Sequence, residues 1–203
     1  MKHTTRLPAA HATAAAATAA LALAALPAAA QDVATRGAFV GGGGGMLTGT
    51  ATDDEGRGAG GFLGGGGHLR FGEEALPGLT LGLEFLGGSG AGNNDRYDAG
   101  FGGFVLQASW RPFDAVEGLV FLLGTGVGGG SLTGKGDDGF EGLAGGSLHE
   151  LGVMYEFALY RDGLSSFVIA PAVRWWLVPT TADNEVWLQS FAVGVDTTWY
   201  AGD

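Results

Sequence analysis

The sequence predicts an all-β chain, an eight-stranded antiparallel up-and-down transmembrane β-barrel, and three observations point to it. Apolar residues recur at period two, most plainly between Leu143 and Leu177, and strict alternation places one residue set on each face of a strand. The two faces are unlike those of a soluble sheet. One is greasy and aromatic, while the other combines glycine with ionised groups, which suits lipid outside and a tightly filled polar barrel inside. Finally, no stretch of about 18 apolar residues occurs after the first thirty positions. Crossing a membrane would therefore require a closed barrel, since only helices and barrels satisfy every backbone group in lipid.

The amino terminus stands apart from this pattern. Lys2 and Arg6 precede an alanine and leucine stretch from Thr13 to Leu26, and Ala28-Ala29-Ala30 leads to Gln31. This is the layout of a cleaved secretory signal peptide over residues 1–30, leaving the barrel as 31–203. Lys2 and Arg6 leave with the leader. The 10 Lys+Arg then fall to 8 against 21 Asp+Glu, and the net charge moves from −11 to −13. An acidic exported chain without a basic patch is not expected to bind nucleic acid. The chain has no Cys, which excludes disulfides and thiolate zinc sites.

Taken in order, the expected strands are Gly37–Ala51, Gly61–Phe71, Leu79–Phe85, Phe101–Arg111 and Leu119–Gly130, then two within Leu143–Leu177, then Val186–Tyr200. In the third, Leu79, Leu81, Leu83 and Phe85 oppose Thr80, Gly82 and Glu84. In the sixth, Leu151, Val153, Tyr155, Phe157 and Leu159 oppose Glu150 and Glu156. Arg161-Asp162-Gly163 then makes a hairpin turn. In the seventh, Phe167, Ile169, Val173, Trp175 and Leu177 oppose Ser166, Ala170, Ala172 and Arg174. Pro171 sits inside that strand, where a missing N–H calls for a bulge. Polar loops are expected at Thr52–Gly60, Gly87–Asp98 and Ser131–Glu141, with a shorter one at Pro179–Glu185. Short turns are expected at Gly72–Gly78 and Pro112–Glu117. With the amino terminus in the periplasm, the longer connections would all face outward.

Charges in the strands test the assignment. Arg70, Glu84, Arg111, Glu150, Glu156, Arg174 and Asp196 all fall opposite the large apolar residues. Pointing outward, an Arg would cost about 2–4 kcal/mol at the bilayer midplane. These three Arg and four acids are expected to form a packed lumen network, in an interior just wide enough for side chains to fill. Aromatic residues are expected at the two interfaces, where amphipathic rings prefer the headgroup level. Phe71, Trp110, Tyr160, Trp199 and Tyr200 would mark the periplasmic level, and Phe85, Phe101, Trp175, Trp176 and Trp187 the extracellular level.

A leader, eight alternating strands and a last strand ending in Trp199-Tyr200 resemble the small outer-membrane β-barrel proteins of Gram-negative bacteria: the OmpX-like, OmpW-like and OmpA transmembrane-domain groups. The resemblance implies insertion in the bacterial outer membrane, contact with its lipid and lipopolysaccharide, and recognition of the aromatic strand end by the barrel assembly machinery. Here Ala201-Gly202-Asp203 follow that pair. Members include structural barrels, narrow pores and lipid-modifying enzymes, so the resemblance implies no single activity.

Three features could carry chemistry. Ser147 and His149 share one face of the sixth strand, and lipid A deacylases are similar barrels in which His activates Ser. Their pattern is His-x-Ser, whereas this chain has Ser-x-His, and Glu150 points to the other face, so an interfacial polar pair is expected. Gly124 to Gly129 spells G-x-G-x-x-G, but no helix follows to hold a phosphate. Asp53, Asp54, Glu55, Asp95, Asp98, Asp137, Asp138, Glu141, Asp183 and Glu185 fall in the outer loops. These hard oxygen ligands could bridge divalent ions to lipopolysaccharide, though solvated loops without a metal site are expected. The expectation is a monomeric, non-enzymatic barrel without cofactors, structural or surface-interacting, with a filled polar interior. The alternatives are a narrow channel or carrier for small or apolar solutes, and a lipid A-modifying hydrolase.

Overall fold

The computed structural model describes residues 37–53, 61–92, 97–113, 116, 118–135, 141–162, 164–178 and 186–202; for residues 53, 141, 144 and 186 it describes the backbone alone. The expected signal peptide at 1–30 lies outside the described residues. So do Asp54, Glu55, Asp95, Asp137, Asp138, Asp183 and Glu185. The strands are β1 (Ala38–Asp53), β2 (Phe62–Leu76), β3 (Leu79–Gly92), β4 (Tyr97–Trp110), β5 (Leu119–Gly134), β6 (Glu141–Tyr155), β7 (Phe157–Arg161), β8 (Ser165–Val178) and β9 (Val186–Ala201). Each pairs antiparallel with its neighbour, β6 and β7 share β8 as partner, and β1 pairs with β9. The result is a closed eight-stranded antiparallel barrel whose sixth stave is broken into β6 and β7.

The strands are longer than their alternation suggests. Gly72–Leu76, expected in a turn, continues β2, while Gly87–Gly92 and Ser131–Gly134, expected in loops, continue β3 and β5. Backbone ladders do not need large side chains, so pairing persists where the hydrophobic signal lapses. This also revises the loop asymmetry. The third connection shrinks to 93–96, while the fourth, expected to be a short turn, spans 111–118. The second connection stays tight. Gly78 takes φ +76 and its N–H donates to Glu74 Oε1 at 3.0 Å, a left-handed conformation that glycine adopts without steric cost.

Pro171 is accommodated differently from the expected bulge. β8 runs unbroken through it, paired to Val195 of β9. The ladder on its other side lapses between Met154↔Ala172 and Phe157↔Ile169, so Pro171 stands opposite the break in the sixth stave. The partner strand, rather than the proline strand, gives way.

Following paired residues around the barrel gives its stagger. The row Val40–Phe71–Leu83–Leu106–Thr125–His149–Leu177–Gln189 returns to β1 at Thr50. The shear is therefore 50 − 40, or 10 residues. Eight strands with this shear tilt by about 40° and leave a lumen that side chains can fill. Inward glycines set which side chains do so. A Cβ would lie 2.7 Å from Leu47 Cδ2 at Gly66, 2.7 Å from Phe62 Cζ at Gly49 and 2.9 Å from Leu148 Cδ2 at Gly103. Each bare inward position makes room for one large side chain from a nearby strand.

Candidate functional site

The lumen is filled in three levels. Because the paired row climbs 10 residues over eight strands, residues at one height are offset by about one and a quarter residues per strand. On that correction His68, Glu84, Gln107, Glu150 and Arg174 form one layer across the barrel, with Asp196 just beneath. Arg174 Nη1 lies 3.0 Å from both carboxylate oxygens of Glu84 and also donates to Glu150 Oε1. Its Nη2 donates to Asp196 Oδ2 at 2.5 Å and lies 3.1 Å from His68 Nε2. Gln107 Nε2 joins the same carboxylates, donating to Glu84 Oε2 and to Glu150 Oε2 at 2.9 Å. One guanidinium thus faces three buried carboxylates, with an amide and an imidazole completing the set.

A second polar cluster closes the end near Gly37 and Gly202. Arg111 Nη2 donates to Glu156 Oε2 at 2.6 Å and to the Tyr200 hydroxyl at 2.8 Å, and that hydroxyl donates to Glu156 Oε1 at 2.6 Å. Arg70 links the levels, donating to Thr198 Oγ1 at 2.6 Å and lying 3.9 Å from Glu156 Oε1. Phe39 packs on Tyr200 at 6.0 Å and under the Arg70 guanidinium at 5.7 Å. Glu156 sits in the gap between β6 and β7, with its backbone N–H bonded to Gly118 O at 2.7 Å. The structure thus brings Arg70, Glu84, Arg111, Glu150, Glu156, Arg174 and Asp196 together in the interior.

The third level departs from the expected polar interior. Above the Arg174 layer, toward the loops, the lumen is filled by Leu47, Phe62, Leu86, Phe101, Val105, Leu132, Leu148, Trp176, Val178 and Leu188. Phe101 packs on Trp176 at 5.6 Å. A cavity of about 10 Å³ remains beside His68, Arg174, Asp196 and Trp176, room for about one water molecule.

Three expected interfacial aromatics are thereby corrected. Phe101, Trp176 and Tyr200 are 7%, 1% and 2% exposed and point inward. Their strand parity carried the signal: Trp176 shares a face with Arg174, Phe101 with Val105, and Tyr200 with Asp196. Phe71, Phe85, Trp110, Tyr160, Trp187 and Trp199 stand on the outer surface, and Trp175 stacks outside on Phe191 at 6.1 Å. Phe71 and Phe85, expected at opposite interfaces, lie 6.2 Å apart, and Phe85 lies 6.2 Å from Phe104. They form one strip, because β2 and β3 extend beyond the expected strand ends.

The remaining motifs find structural places. His149 faces outward, with Nδ1 3.2 Å from Thr125 Oγ1 on β5, while Ser147 pairs with Val127. The Gly124–Gly129 spelling lies within β5. Asp98 pairs with Lys135 at 2.8 Å. Among the described residues no group of three His, Asp or Glu is arranged to hold a metal ion.

Solved structures share this architecture. The crystal structure of Neisserial surface protein A (NspA) matches with a TM-score of 0.50 and 13% identity, over 80% of this chain and 98% of that one. The chain has the fold of the small eight-stranded outer-membrane β-barrels. The barrel is also similar to Ail, the attachment invasion locus protein of Yersinia pestis, at 15% identity over 80% of this chain and 99% of that one, with a TM-score of 0.43. For the outer membrane protein OprG from Pseudomonas aeruginosa the values are 12%, 83%, 99% and 0.39. No family model and no curated protein sequence matches the chain.

Proposed function

We propose that the chain is a monomeric, non-enzymatic outer-membrane barrel whose role is structural or surface-interacting, carried out in contact with outer-membrane lipid and lipopolysaccharide. The observation that carries this reading is the sealed lumen: Arg174 tied to Glu84, Glu150 and Asp196, with the Trp176 cluster packed directly above. Passage of a solute would have to separate buried ion pairs and displace a close-packed apolar core at once. Nor do the charged groups suit catalysis. The carboxylates are bound to guanidinium groups inside the wall, and His149 is bonded to Thr125 rather than to a nucleophile–acid pair. In this reading the assembly machinery engages Trp199, the outward member of the terminal aromatic pair.

Planar-bilayer recording tests the proposal. The purified barrel is expected to leave conductance at the level of the bare membrane, and discrete steps well above it would favour the channel reading instead. On expression in a Gram-negative host, lipid A mass is expected to stay unchanged. A shifted mass that His149→Ala abolishes would overturn the non-enzymatic assignment.

A further inference from the structure

The outer face changes character along the barrel axis, at nearly the height where the lumen changes from charged to apolar. Toward the termini the outward residues are large and apolar, such as Leu81, Leu106, Leu123 and Val195. Toward the loops β1, β3, β5 and β9 switch. Met46 gives way to Thr48 and Thr50 on β1, Phe85 to Gly87 and Ser89 on β3, Val127 to Gly129, Ser131 and Thr133 on β5, and Phe191 to Gln189 on β9. Corrected for the 10-residue shear, these switches fall close to one plane perpendicular to the axis.

The apolar zone below that plane is about eight residues tall, or about 20–25 Å at a strand tilt near 40°. An outer-membrane barrel carries an apolar band of about 25 Å. The threonine hydroxyls within the zone are paired, as lipid exposure favours. The Thr197 hydroxyl donates to Gly42 O at 3.3 Å, and Thr125 and His149, near the upper edge, share one bond at 3.2 Å. Above the plane, Leu63, Leu143 and Trp187 are exposed, scattered singly among small residues.

We propose that the bilayer hydrocarbon ends at this plane. The distal part of the barrel then stands in water as a collar of reversed pattern: small and hydroxyl-bearing residues outside, apolar residues within. Inside the bilayer, apolar side chains gain nothing from turning inward, because lipid is as apolar as the core. Above it, water drives Leu47, Phe101, Trp176 and Leu188 into the lumen. The collar's apolar filling thus follows from its solvent. The inference rests on the membrane-spanning reading above and adds where the lipid surface stops.

The chain has no Cys, so single-cysteine variants carry one label each. Thr48→Cys, Ser89→Cys and Thr133→Cys report on the collar, and Phe85→Cys, Leu106→Cys and Val195→Cys on the belt. All six positions are exposed, so three sites per zone remain informative if one variant folds poorly. Each is labelled with bimane and reconstituted in phosphatidylcholine nanodiscs, which leave both membrane faces open to solution. Collar labels are expected to be quenched by iodide and to lose quenching by lipids brominated on the acyl chain; belt labels are expected to behave in reverse. If Thr48, Ser89 and Thr133 are quenched by brominated chains as strongly as Leu106, the boundary is refuted while the membrane reading stands. If no site responds to brominated chains, both fail.

Discussion

Below the Arg174 layer the lumen holds Arg70, Arg111 and Glu156 beside buried Val120, Leu122 and Met154, and the outer wall is apolar, whereas above it the lumen holds Phe101, Trp176 and Leu188 and the outer wall turns to glycine, serine and threonine. The two halves share the same strands and ladders, so the backbone does not account for the difference. What differs is the source of cohesion. In the lower half charge-assisted bonds cross a narrow lumen beside the packed Val120, Leu122 and Met154, and separating the partners would leave buried charge. In the upper half it is held by burial of apolar side chains. Each half should therefore respond to a different kind of substitution.

The largest effect should come from Arg174→Ala, which leaves Glu84, Glu150 and Asp196 without their common cation. A loss of about 3–5 kcal/mol is expected, read by urea unfolding in vesicles, and an unchanged midpoint would show that the layer does not hold the lower half. Next, Leu188→Ala in the apolar lumen should cost about 2–4 kcal/mol through transfer and cavity terms. The outward Leu106→Ala should cost far less, since lipid fills its place. Equal losses at the two positions would erase the contrast between lumen and belt.

Tyr200→Phe sharpens the account of the lower half. It removes the hydroxyl that joins Arg111 to Glu156 and should cost about 1.5–3 kcal/mol, the range for bonds to charged groups. Its effect should be subadditive with that of Arg111→Met, because both act on Glu156; strictly additive losses would separate the two contacts. The smallest effect belongs to the turn beyond both halves. Asp162 accepts N–H bonds from Ser165 at 2.7 Å and Leu164 at 3.0 Å. These bonds to the ionised form hold its carboxyl below the usual 3.8. Its stabilisation is thus complete above the unfolded value and lost as pH falls through the lower folded value. The stability gap between wild type and Asp162→Ala should be constant above about pH 5 and narrow in acid. A gap that widens in acid would reverse the assignment.

Much of this was legible in the alternation. Arg70, Glu84, Arg111, Glu150, Glu156, Arg174 and Asp196 could be assigned to one face because each has apolar neighbours of opposite parity. Phe101, Trp176 and Tyr200 were misplaced when ring chemistry outweighed parity. The apolar upper lumen was obscured for another reason: its inward rows are interrupted by glycines such as Gly45, Gly66 and Gly128, which carry no polarity to read. Strand ends faded for the same cause, since Gly87–Gly92 and Ser131–Gly134 pair without a hydrophobic pattern.

The sequence by itself determined facing. Alternation is local, and a residue's parity relative to its neighbours assigns it to lumen or outer wall without reference to any other strand. Only the tertiary structure decided height. Whether Arg174 meets Glu84, 90 positions away, and whether Trp176 lies above or below that pair, depends on eight pairings and on the 10-residue shear at which β1 meets β9. Shear is a property of the closed ring, because each register is free until closure makes the strands share one axis.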